Sequence, residues 1–198
     1  MSWKQGIRAL AVVALAGTAF AAVPAASAAA PVNGTGTVTK CKFSGAATLS
    51  PPLTTTMAPV TTTIKGTLTC NGGTGSGKTL SGGSLLASEK KVQNCTSLAA
   101  SSAHKIASTV TWKVKSGSPV LSPSKGLLTK MAPTVKGQAV TVDITGKDTS
   151  GSFSKAPLND VLLHGVVKQT VTQLLSACSS KAGLKQLTLL PTSTFQIN

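Results

Sequence analysis

Gly72, Gly77, Lys78 and Thr79 stand at the spacing G-x-x-x-x-G-K-[ST], inside the run CNGGTGSGKTLSGG from Cys70 to Gly83. At that spacing a glycine-rich loop cradles phosphates with backbone N–H groups while the lysine reaches the terminal phosphates. The chemistry also needs a helix behind the loop, because the phosphates rest on its N-terminus. Here Leu80 is followed by Ser81, Gly82 and Gly83, and paired glycines oppose helix initiation. AVTVD, Ala139 to Asp143, imitates the acidic strand that would hold magnesium. Its alternation turns Asp143 outward on an amphipathic strand, whereas strands of a parallel sheet are buried on both faces. The glycine run therefore reads as a loop between strands with Lys78 in solvent.

The two histidines, His104 and His164, are the next candidates. Asp160 and His164 lie four apart and share a face if that segment is helical. With one of the many serines they would make up a Ser-His-Asp hydrolase. No G-x-S-x-G elbow accompanies them. Asp160 serves equally as a helix cap, and His164 as a core or edge histidine. His104, in SSAHKI, sits where a strand begins and reads as a surface residue. C-x-x-C, H-x-x-H and H-x-x-x-H spacings are all missing, so zinc has no ready ligand set. Asp143 and Asp148 are the one close pair of acids, with no calcium-loop pattern around them. Paired-carboxylate glycoside hydrolysis has only Glu89, Asp143, Asp148 and Asp160 to draw on. The assignment is accordingly no catalytic, cofactor-binding or metal residue and no cofactor. The alternative is a small hydrolase built on His164 and Asp160.

The cysteines say more. Lys4 and Arg8 precede an uncharged, mostly apolar run from Ala9 to Val23, and Ala26-Ser27-Ala28 follows as a small-x-small cleavage site. That order marks residues 1–28 as a secretory signal peptide, with an apolar run short of the roughly 20 residues of a membrane span. Residues 29–198 then form a single extracellular domain. Cys41, Cys70, Cys95 and Cys178 all lie in it, and an even count in an exported chain implies two disulfides.

Strand periodicity selects the pairing. Val60, Thr62, Ile64, Gly66, Leu68 and Cys70 share one parity, with threonines and Lys65 on the other, which is a half-buried strand. Thr37 to Leu49 alternates less cleanly, and SPPLTTTMAP between the two reads as a turn or loop. Setting Cys41 opposite Cys70 in an antiparallel pair puts Phe43 opposite Leu68, Gly45 opposite Gly66 and Ala47 opposite Ile64. Every inward residue then meets an apolar or small partner, and a one-residue slip would turn all of them out. Cys41–Cys70 is preferred on this ground, and Cys95–Cys178 follows by elimination.

Ile106 to Lys115 repeats the alternation, and Val140, Val142 and Ile144 mark another strand ending at Gly146. A short strand near Phe153, one or two closing strands over Leu187–Ile197, and one more within Thr79–Lys91 complete the set. Val167, Val171, Leu174, Leu175 and Cys178 change the period to that of a helix face. Such a helix starts as early as Asn159 or Asp160 and stops after Lys181 and Gly183. The fold class is all-β: a disulfide-stapled β-sandwich or open barrel with one short C-terminal helix.

Composition bounds the partners. The formal net charge is +15. Removing Lys4 and Arg8 with the signal leaves seventeen lysines against four acids, or +13. This balance favours anionic cell-wall polymers, acidic glycans, lipid headgroups or nucleic acid, or serves solubility alone. Lysine without arginine lacks the bidentate fork of specific phosphate or base recognition. Trp112, Phe43, Phe153 and Phe195 fall on inward parities or in strands, so stacking platforms for sugars or bases are not expected. Asn33 and Asn94 match the glycosylation acceptor pattern.

The Ala-rich signal ending AASAAAP, CKFSGAATLSPPLT, IKGTLTC, STVTWKV and LLSACSSKAGLKQLTL together resemble uncharacterised small secreted β-rich proteins of high-GC Gram-positive, actinobacterial-type bacteria. That resemblance implies export, β architecture and disulfides, and supplies no catalytic residue. The expected function is that of a secreted, non-catalytic module, free outside the cell or associated with the cell wall, that binds a protein partner or an anionic envelope polymer. An envelope structural or toxin-delivery component is a further alternative.

Overall fold

A computed structural model of the chain describes residues 39–75, 78–115, 121–155 and 159–197. The signal segment 1–28, Asn33 and Gly77 lie outside the described residues. Among the described residues nine strands and two helices follow in chain order: β1 (Thr39–Leu53), β2 (Ala58–Cys70), β3 (Thr74–Gly75), β4 (Lys78–Gln93), α1 (Cys95–Leu98), β5 (Ser102–Val114), β6 (Ser124–Lys136), β7 (Ala139–Ser150), β8 (Asp160–Val167), α2 (Val171–Ser179) and β9 (Leu184–Ile197).

Around the sheet the order is β2-β1-β9-β8-β7-β6-β5-β4, and β4 pairs back onto β2. Each of these eight strands has two antiparallel neighbours. The fold is therefore a closed up-and-down barrel, with β3 a two-residue flap on β4. This corrects the expected sandwich or open barrel. Closure removes the exposed edges that an open sheet would present, and eight strands enclose an interior just wide enough for side chains or one small ligand.

The β1–β2 register is the one the alternation demands: Cys41↔Cys70, Phe43↔Leu68, Gly45↔Gly66 and Ala47↔Ile64. Both expected disulfides are present, Cys41–Cys70 and Cys95–Cys178. The facing glycines make room for the Phe43 ring, since a Cβ at Gly66 would strike that ring and the Ser44 carbonyl.

Four expectations need correction. β1 runs on through Pro51 and Pro52, with a cis Ser50–Pro51 bond, so the turn occupies only Thr54–Met57. β6 lies where no strand was expected. Its pairing with β7 shifts between Leu128 and Lys130, so the inward parity changes midway and the alternation is lost. Phe153 is buried in the turn after β7 and belongs to no strand. Finally, residues 160–167 form strand β8, and α2 begins only at Val171, capped by Thr170 in a reciprocal box with Gln173. Val161, Val166 and Val167 favour the strand there.

The two ends of the barrel are filled differently. At one end Trp112 packs edge-on against Phe153, with ring centroids 5.1 Å apart, and tilts against Phe195. The Cys41–Cys70 disulfide closes the same end. At the other end smaller residues such as Ala47, Ile64, Ile106 and Ile144 line the interior. Both helices sit there: α1 joins β4 to β5, and α2 joins β8 to β9. A second apolar cluster, with Leu49, Leu53, Val60, Cys178 and Leu184, packs beneath them.

Candidate functional site

The helix-capped mouth is where the interior is not filled. A cavity of about 90 Å³ lies under the helices, walled by aliphatic residues including Ile64, Ile106, Ile144, Val167 and Leu189. An outer cleft of about 320 Å³ runs between α1, α2 and the β6–β7 hairpin. Leu98, Pro133, Val140 and Leu174 line both spaces and form the partition between them. Val135 and Leu175 stand exposed at the outer cleft.

The lid over this mouth is fixed at several points. Cys95 in α1 is bonded to Cys178 in α2, so the second disulfide ties one cap to the other. The Val171 N–H donates to the Gln138 carbonyl, and the Thr172 hydroxyl donates to the Gln138 side chain at 3.0 Å, docking α2 on the β6–β7 turn. On the other side the Cys95 N–H donates to Thr54 O, and the Asn94 amide donates to Thr55 O at 3.1 Å. Asn94 also caps α1 by accepting from the Ser97 N–H, so the acceptor asparagine of NCT is engaged in local structure.

One wall of the inner cavity is polar. Pairing between β4 and β5 ends at Ser88↔Ala107. Just beyond it, Glu89 Oε1 accepts the Lys105 N–H at 2.7 Å, satisfying a donor that has left the ladder. Glu89 Oε2 lies 2.5 Å from His104 Nδ1, and His104 Nε2 lies 2.7 Å from the Ser102 hydroxyl. The His104 side chain is 4% exposed and that of Glu89 10%. Near them the Gln93 amide donates to Thr62 Oγ1 at 2.9 Å. Carboxylate, imidazole and hydroxyl thus form one hydrogen-bonded chain, of which the carboxylate and imidazole residues line an apolar chamber.

His104 was expected at the surface, and its burial inside the mouth corrects that expectation. The signal was available: Ser102 and His104 share the inward parity of Ile106, Ser108 and Val110.

The Asp160–His164 pair does not form. On a strand these two share a face but stand two pleats apart. Asp160 pairs with Lys147 at 3.1 Å, while His164 Nδ1 meets Asp143 Oδ1 at 2.5 Å across the β7–β8 ladder. Both members of the His164–Asp143 pair are substantially exposed on the barrel exterior. Asp143 is consequently engaged by a histidine and stands far along the chain from the glycine run it was set against. In that run Gly72 and Gly73 take positive φ angles, and Lys78 and Thr79 open strand β4 and pair with β3. A phosphate-cradling loop needs a helix at that point, and a strand occupies it.

The acids divide by location. Glu89 and Asp148 point inside, leaving Asp143 and Asp160 on the outer wall among the lysines. Asp148 is 2% exposed, and neither of its oxygens reaches a well-formed hydrogen bond. Burial pushes its pKa up to about 6, partly offset by the nearby Ser124 hydroxyl and Thr149 N–H. Trp112, Phe43, Phe153 and Phe195 are all buried. Among the described residues no helix is long and apolar enough to cross a membrane. No family model, curated protein or solved structure matches the chain.

Proposed function

We propose that this protein is a secreted binding barrel that takes the apolar tail of a small amphiphile into its capped mouth. The observation that carries this reading is the pair of adjoining apolar spaces, about 90 Å³ and 320 Å³, under two helices tied by a disulfide. Ligand sites are typically concave, mostly apolar and marked by a few placed polar groups. This mouth has that composition. An apolar cavity of about 150 Å³ stays dry and accepts benzene, so the inner chamber suits a short or branched alkyl group. The outer cleft suits the next part of the molecule. The polar headgroup then faces solvent in the field of a chain of formal net charge +15, which favours an anionic one.

Octanoate titrated calorimetrically into the mature protein is the direct test. Saturable binding with a negative heat-capacity change is expected. Ala47→Leu, which places three more carbons in the chamber wall, is expected to abolish it while the fold is kept. Binding unchanged by that substitution refutes the reading.

A second reading, attachment to an anionic envelope polymer, is favoured by the placement of the acids. With Glu89 and Asp148 inside, the outer wall is more strongly basic than the composition alone conveys. Such attachment weakens steeply as salt rises. Retention on isolated cell walls that is indifferent to salt refutes it.

A further inference from the structure

We propose that Ser102, His104 and Glu89 form a nucleophilic centre that hydrolyses carboxylic esters, with the acyl group seated in the inner cavity. The choice of substrate rests on the apolar-ligand reading above. The choice of nucleophile rests on geometry alone.

A serine hydroxyl becomes a nucleophile when a base stands within hydrogen-bond reach and a third group orients that base. Both contacts are present. His104 Nε2 is 2.7 Å from Ser102 Oγ, and His104 Nδ1 is 2.5 Å from Glu89 Oε2. With the carboxylate accepting at Nδ1, that nitrogen carries the proton and Nε2 presents its lone pair to the hydroxyl. This is the tautomer general-base catalysis requires. Glu89 is itself held by the Lys105 N–H on its other oxygen, so the relay is anchored to the backbone at its far end. Ser102 is only partly buried, whereas His104 behind it is nearly sealed from water. Ser102 stands opposite Met131 in the β5–β6 ladder, and Met131, Glu89 and His104 all line the inner cavity. The hydroxyl therefore lies next to the chamber that would hold an acyl tail, opposite one of its lining residues and 2.7 Å from another. A histidine needing no more than burial would be satisfied by any two partners. The ordered sequence of hydroxyl, imidazole and anchored carboxylate is what points to catalysis.

The reaction balances with water as the only co-reactant. Ser102 Oγ bonds to the ester carbonyl carbon while its proton passes to His104 Nε2. The tetrahedral adduct collapses, the bond to the leaving oxygen breaks, and that oxygen departs as an alcohol with the proton from Nε2. Water then attacks the acyl carbon and gives a proton to Nε2. The Ser102–acyl bond breaks, Oγ recovers the proton, and the carboxylic acid is released.

The test treats the disulfide-intact mature protein with an ethyl fluorophosphonate probe and maps the adduct by mass spectrometry, with octanoate calorimetry run on the parent protein and urea unfolding on every variant. A stoichiometric adduct on Ser102 is expected, lost in Ser102→Ala and in His104→Ala. A labelling rate at least about tenfold lower is expected in Glu89→Gln, where the amide no longer stabilises an imidazolium. A cooperative urea unfolding transition kept by these variants shows that they are folded and that the loss is chemical. Labelling of Ser102 without octanoate binding supports the nucleophile and overturns only the apolar-ligand reading. Octanoate binding without labelling overturns the nucleophile, as does labelling that persists in Ser102→Ala.

Discussion

Asp148→Asn is expected to stabilise the protein at neutral pH and to remove most of one pH-dependent slope. Asp148 is an inward residue of β7 at the aromatic-filled end, 2% exposed, with no well-formed hydrogen bond to either oxygen. Burial raises its pKa from 3.8 to about 6. The native state therefore holds this proton more tightly than the unfolded chain does. Between those two pKa values the folded protein binds more protons, so stability falls as pH rises. The carboxyl contributes no penalty below about pH 4, and its full penalty is reached above about pH 7. Each pKa unit corresponds to about 1.4 kcal/mol, which makes the full conversion about 3 kcal/mol. Solvent screening brings the expected effect to about 2 kcal/mol. An amide of the same shape carries no charge to desolvate, so the variant should gain that amount at pH 7.5 and little at pH 4.5. Urea unfolding followed by Trp112 fluorescence, with disulfides intact, measures both proteins at both pH values. Subtracting the two cancels the contributions they share. An Asp148→Asn variant no more stable than the parent at pH 7.5, or equally shifted at both pH values, refutes the reasoning.

Other expectations follow from packing and covalent links. Gly66→Ala forces a methyl group into the Phe43 ring and the Ser44 carbonyl, and should cost about 1–3 kcal/mol by chemical denaturation; a neutral result would contradict the β1–β2 packing. Removing Cys95–Cys178 by paired alanine substitution opens a loop with a sequence separation of 83, against 29 for Cys41–Cys70. Chain entropy alone then predicts a loss of about 4–5 kcal/mol for the first and about 3–4 kcal/mol for the second. The first should also raise hydrogen exchange in α2 selectively, and exchange spread evenly over the barrel would count against its role as a lid tie. His164→Ala removes an exterior partner of Asp143. It should change stability by no more than about 1 kcal/mol and leave octanoate binding intact, whereas lost binding would relocate the site to the β7–β8 face.

The β1–β2 register was legible because Cys41, Phe43, Gly45 and Ala47 leave only one pairing that buries every inward side chain. The same alternation, continued, explains the interior polar groups. β5 carries Ser102 and His104 inward four and two residues before Ile106, and β7 carries Asp148 inward past Gly146. Both were missed because each strand outlasts its apolar run, and a short traced run ends before its polar inward positions. β6 was invisible for a different reason. Its bulge between Leu128 and Lys130 changes parity, and Pro133 lies within the strand. Barrel closure was equally hidden, since it rests on the first strand, β1, meeting the last, β9, a long-range choice that local periodicity does not encode. The Asp160–His164 spacing misled because four residues bring side chains together only on a helix. Glu89 was beyond reach because its role depends on where the β4–β5 ladder stops.

Methyl-resolved NMR of the mature protein during octanoate titration probes the capped mouth most directly. Saturable shifts should appear together at Ile64, Ile106, Ile144, Leu174 and Leu189, with Leu86, Val92 and Leu127 on the outer wall unmoved. Shifts confined to those outer residues, or none at saturating octanoate, would show that the chamber takes no ligand.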